Sequence, residues 1–63
     1  MKMIIFNLVN GGKVAINVDA IEYMEYSKKY NAKTVIALNS GEGLYIEETL
    51  DDILETIAEM NKE

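Results

Sequence analysis

The spacing of apolar residues changes once along this 63-residue chain, near Glu47, and the change dictates a sheet followed by a helix. Before that point the pattern has the two-residue period of strands: Val14, Ile16 and Val18 alternate with Lys13, Ala15 and Asn17. After it, Leu50, Ile53, Leu54, Ile57 and Met60 recur at the spacing of one helical face, with Asp51, Asp52, Glu55 and Glu59 elsewhere on the wheel. Thr49 is placed to cap that helix, and Asp52, three residues on, stands where a capping box carries Glu. Acids crowd the first turn and Lys62 follows the last, as the helix dipole favours.

Turn residues divide the first part into strands. Met3–Val9 is a nearly continuous apolar strand, and Asn10-Gly11-Gly12 after it is a hairpin signal in which both central residues are expected at positive φ. Lys13–Val18 returns as its partner. Ile21–Tyr26 reads as a third strand, with a helical turn over residues 19–25 as its competitor, because Ile21 and Met24 also suit helical spacing. Lys28–Ala32 is polar and turn-like, Lys33–Leu38 is a strand, Asn39–Gly43 is a Gly-rich turn, and Leu44–Glu47 is a fifth strand. The expectation is one α+β domain over residues 1–63: a small antiparallel β-meander of about five strands in 1–47, with an amphipathic helix in 48–62 packed on the sheet.

A domain of this size buries only about 60% of the surface its unfolded chain exposes. Disulfides or a metal often supplement so thin a core, but this chain has no Cys and no His. A tight core or self-association is left to stabilise it. The run Met3-Ile4-Ile5-Phe6 is broken at Asn7 and Asn10, too soon for a secretory signal, and no stretch approaches a membrane span. A cytoplasmic protein without membrane insertion is expected.

Net charge is −5, distributed unevenly: residues 1–46 sum to +1 and residues 47–63 to −6. Such a surface repels phosphate backbones and anionic lipids, which argues against direct nucleic-acid binding. Asp51, Asp52, Glu55 and Glu59 form a candidate acidic docking face, against the plainer reading of a solvated face that keeps a small protein soluble. Tyr23, Met24, Tyr26, Tyr30 and Tyr45 form a candidate interface, against ordinary strand packing, because Tyr and Met are enriched where proteins meet. One helix cannot cover both faces of a five-stranded sheet, which favours the interface. Lys28, Lys29 and Lys33 are the one basic cluster, read as a solvated tip and not as a single-strand binding site. The glycines fit no phosphate loop, and Ser27 and Ser40 have no His partner for a triad. Neither a catalytic constellation nor a cofactor-binding or metal motif is present, so a non-enzymatic binding protein is expected.

Landmarks run the length of the chain: Leu8-Val9-Asn10-Gly11, Asn17-Val18-Asp19-Ala20-Ile21-Glu22, Thr34–Gly41, Tyr45-Ile46-Glu47-Glu48-Thr49, then aliphatics at Ile53 and Ile57. In this order and spacing the chain resembles the small FlbD/SwrD family of bacterial flagellar and swarming-motility proteins. The segment Ser27–Lys33 is longer than the family's usual turn and lacks its Pro, Gly41-Glu42-Gly43 replaces a Gly-Lys-Lys type of turn, and Thr49 replaces a Ser. The resemblance implies a cytoplasmic accessory protein of flagellar motility or swarming, acting through a protein partner or as a homo-oligomer, with no catalytic residues. Sequences of this kind also occur in phages. That suggests the alternative of an inhibitor that blocks a host enzyme with its acidic surface, or a sequestering protein that holds a small signalling molecule between subunits.

Overall fold

A computed structural model describes residues 2–62. Five antiparallel strands are followed by one helix: β1 Met3–Asn7, β2 Lys13–Asn17, β3 Ile21–Tyr26, β4 Thr34–Leu38, β5 Gly43–Ile46 and α1 Leu50–Met60. The α+β meander with a C-terminal helix is therefore present, the helix two residues shorter at each end than the expected 48–62. Thr49 caps it, its Oγ1 accepting the Asp52 N–H at 3.1 Å.

The strands divide into a two-stranded sheet, β1–β2, and a three-stranded sheet ordered β3–β4–β5. A short seam joins them. Leu8 bridges Ile46, Val9 N–H donates to the Tyr45 carbonyl at 3.3 Å, and Glu47 N–H donates to the Asn7 carbonyl at 2.9 Å. At Asn7–Val9 the chain thus also runs antiparallel to β5, along the edge opposite β2.

Both hairpin turns share one design. Leu8 N–H reaches the Gly12 carbonyl and Gly11 N–H the Leu8 carbonyl; Leu38, Gly41 and Glu42 repeat the pattern. Gly11 and Gly41 hold the left-handed region at φ 97° and 95°. The expectation of positive φ at both Asn10 and Gly11 is corrected here: a longer loop closes the hairpin, and Gly11 alone takes that conformation. Asn10 instead accepts the Gly12 N–H on its side chain at 2.9 Å.

Residues 18–20 form a single 3-10 turn, started by Asn17 Oδ1 accepting the Asp19 N–H at 3.0 Å. From Ile21 the chain is strand, so the strand reading of Ile21–Tyr26 holds. The pairing of β3 with β4 slips once, Ile21 facing Leu38 and Tyr23 facing Ala37, which makes Glu22 a bulge. The bulge puts Ile21 and Met24 on one side of the sheet although they are three residues apart.

Ile4, Phe6, Ile16, Ile36, Ile46 and Ile53 form the core, with Thr34 the buried polar residue within it. Ile53, 2% exposed, carries the helix into that core. Leu54 does not: it is half exposed, a departure from the five-residue apolar face. At about 100° per residue it lies well to the side of Ile53, off the line of contact.

Candidate functional site

Partner residues across antiparallel strands point to the same side of a sheet. Ile36 and Thr34 are fully buried, so their partners Met24, Leu44, Tyr26 and Ile46 lie on the core side. The opposite, outer side carries Tyr23, Ala37 and Gly43 in one row and Glu25, Val35 and Tyr45 in the next. Through the seam, Val9 stands beside Tyr45 and extends the second row onto β1. The helix contributes Ile53 to the core and so occupies the other side.

This geometry divides the aromatic and methionine candidates. Tyr23, 54% exposed, and the half-buried Tyr45 belong to the outer face. Tyr30 joins them from the loop between β3 and β4, its ring meeting Tyr45 edge to face at 5.0 Å between centroids and 80° between planes. Met24 lies elsewhere, half-buried against the core cluster. Tyr26, the last residue of β3, points to the core side yet stays 66% exposed.

Tyr30 reaches its place at a conformational cost. It sits at φ 56°, ψ 30°, followed by Asn31 at φ 62°. Asn tolerates the left-handed region, but a bulky aromatic there is a strained residue that surrounding structure must hold. The turn is closed by Ala32 N–H to the Lys29 carbonyl at 2.9 Å, and buried Ala32 anchors its end. The ring itself remains 71% exposed. Beside it an open polar recess of about 300 Å³ is lined by Val9, Tyr30, Asn31, Lys33 and Glu47. Lys28 and Lys29 are exposed in the same loop. Aromatic, aliphatic and cationic groups thus share one surface.

The acidic candidates lie on α1, all exposed. At about 100° per residue, Asp51, Glu55, Glu59 and Asp52 fall in that order within one arc of about 100°. Glu59 is paired with Lys62 at 3.1 Å. Glu63, the last of the carboxylates counted in the sequence, lies outside the described residues. Glu48 does something its neighbours do not. Its carboxylate accepts the Asn7 backbone N–H at 3.1 and 3.2 Å and Asn7 Nδ2 at 2.7 Å, while its carbonyl accepts Thr34 Oγ1 at 2.8 Å. It is a brace between the start of the helix and β1. At the far end Lys2 Nζ donates to the Met60 carbonyl at 3.1 Å and to Asn61 Oδ1 at 3.0 Å.

The sequence reading missed Val9 and Val35 as members of the aromatic face, and Glu48 as a brace. Strand parity was the signal for both valines, once the seam is known. None of the described residues belongs to a helix long and apolar enough to cross a membrane.

Compared with known proteins, residues 3–63 match the family FlbD, described as flagellar and swarming motility proteins. No curated protein and no solved structure matches the chain.

Proposed function

Because the chain belongs to the FlbD family of flagellar and swarming motility proteins, we propose that it is a cytoplasmic, non-enzymatic accessory protein that binds a protein of the motility apparatus through its tyrosine face. The observation that carries this reading is the outer row Val9, Tyr45 and Val35 with Tyr23 and Tyr30 around it, which the helix leaves uncovered. Tyrosines contribute large contact area at little rotamer cost, which is why they anchor interfaces. A strained backbone that holds Tyr30 outward adds support, since strain of this kind gathers at working sites.

The test is capture from host lysate, membranes included, with tagged wild-type protein, a Tyr23→Ala variant and a Tyr30→Gly variant. Recovery of motor or export components by the wild type and its loss in both variants is the expected result. Equal recovery by all three overturns the assignment of the face. Recovery of a nuclease or defence enzyme, lost at high salt, turns the reading toward the inhibitor that uses Asp51, Asp52, Glu55 and Glu59. Sedimentation at 1–100 µM (on the order of typical interface affinities) separates a partner from a second copy, since self-association through this face is weakened by the same two substitutions.

A further inference from the structure

Hydrogen-bond parity along β1 exposes an edge that the tyrosine face does not use. Leu8 N–H bonds to Gly12, and the Lys2 carbonyl accepts Val18 N–H at 2.9 Å, so the even-numbered residues of β1 turn their peptide groups toward β2. The odd-numbered ones turn the other way. Val9 and the Asn7 carbonyl meet β5 there, and Asn7 N–H meets the Glu48 carboxylate. Next along this edge come Ile5 and Met3, and no strand among the described residues lies beside them, because after Glu47 the chain leaves the line of β5 to begin the helix.

The space this leaves is a groove of about 190 Å³ between β1 and α1, lined by Ile4, Ile5 and Phe6 on one wall and Asp52, Ile53 and Thr56 on the other. Glu48, which braces Asn7, lines one end of it. Ile5 is 67% exposed and Met3 48%, both on the outer side. The groove is acidic: its two charged lining residues are Asp52 on the helix and Glu48 just before it.

We propose that the free edge of β1 at Met3 and Ile5, with the Asp52–Thr56 wall of α1, is a strand-addition site for an extended segment of a partner protein that alternates apolar residues with lysine or arginine. Main-chain bonds to Ile5 and Met3 supply the pairing, over a length of about 10 Å at the rise of a strand. Alternation supplies the selectivity. Residues on one side of the added strand lie against exposed Ile5 and Met3, and residues on the other side face the carboxylate of Asp52. Charge complementarity therefore fixes a cationic occupant over an anionic one. The site is separate from the tyrosine face and stands whether or not that face binds the motility partner.

A capped seven-residue peptide, Thr-Lys-Ile-Lys-Val-Lys-Thr, is titrated into ¹⁵N-labelled full-length protein and followed by amide shifts and hydrogen exchange. Without peptide, the Ile5 amide exchanges fast while Ile4 and Phe6, bonded to β2, exchange slowly. With peptide, Ile5 becomes protected and the Met3, Asp52 and Thr56 signals move. Ile5→Pro removes the donor without touching the β2 ladder and is expected to weaken binding about tenfold. Asp52→Lys is expected to do the same and to abolish the salt dependence, and it keeps the test decisive if Ile5→Pro does not fold. Absence of shifts at Met3 and Ile5 with millimolar peptide overturns the proposal. So does equal binding of the same peptide with Glu in place of Lys, or protection of Ile5 that grows with protein concentration alone, which would give the edge to a second copy.

Discussion

Replacing Glu48 by Ala should be among the most damaging single changes available on the surface of this molecule. Its carboxylate accepts both the backbone and the side-chain N–H groups of Asn7, at 2.7 to 3.2 Å, in a half-buried setting. A hydrogen bond to a charged acceptor contributes about 1.5–3 kcal/mol, and leaving a partly buried donor unpaired forfeits most of that. The bonds share one acceptor group, so the combined loss is about 2–3 kcal/mol and not their sum. A domain of this length has roughly 3–9 kcal/mol in all. With a urea slope of about 1 kcal/mol/M, the unfolding midpoint followed by far-UV circular dichroism should fall by about 2 M. Glu48→Gln keeps one acceptor oxygen and should lose about half as much. Glu47→Ala, an exposed neighbour, should stay within about 0.5 kcal/mol of the parent. If Glu48→Ala behaves like Glu47→Ala, and Asn7 N–H exchanges no faster, the brace contributes nothing and the reasoning is wrong.

Other perturbations have equally definite outcomes. Ile53→Ala should cost about 2–4 kcal/mol by chemical denaturation, since it empties the helix's deepest contact with the core. Removal of residues 48–63 should unfold the protein, seen as collapse of amide dispersion in NMR, because the core loses Ile53 and its cover. Tyr30→Gly should change stability by no more than about 1 kcal/mol, as relief of strain at φ 56° offsets loss of the Tyr45 contact.

Much of the fold was legible because local signals agreed with the final packing. The helix was announced by Thr49 and by the recurrence of Leu50, Ile53, Ile57 and Met60, and both hairpins by turn glycines that do adopt positive φ. The ambiguity at residues 19–25 has a physical source. Ile21 and Met24 look helical because the Glu22 bulge gives a strand the same-side spacing of three that helices have. Leu54 misled because an apolar residue on the flank of a helical stripe is indistinguishable, by spacing alone, from one at its centre. The outer face was half legible. Tyr23, Tyr30 and Tyr45 were readable as a cluster, but separating them from Met24 required the register of β3 on β4. The seam and the Glu48 brace are pairings between residues some forty positions apart, which no local pattern encodes, and the open edge of β1 is what those pairings leave over.

Those long pairings also set the order in which the chain can fold. Hairpins with turns at Gly11 and Gly41 are local and close in microseconds. The bonds of Asn7 to Glu47 and Glu48, and of Lys2 to Met60 and Asn61, join the first strand to the last quarter of the molecule. Closing them costs chain entropy before any of the core is gained, and those of Lys2 cannot form until the helix has been synthesised. A nascent chain still lacking α1 therefore has no cover for its core, and the closure that completes the fold waits for the helix. Until it occurs, Ile4 and Phe6 lie uncovered on a strand whose far edge is unpaired, which makes the interval before closure the time when this molecule is most open to proteolysis and misassociation.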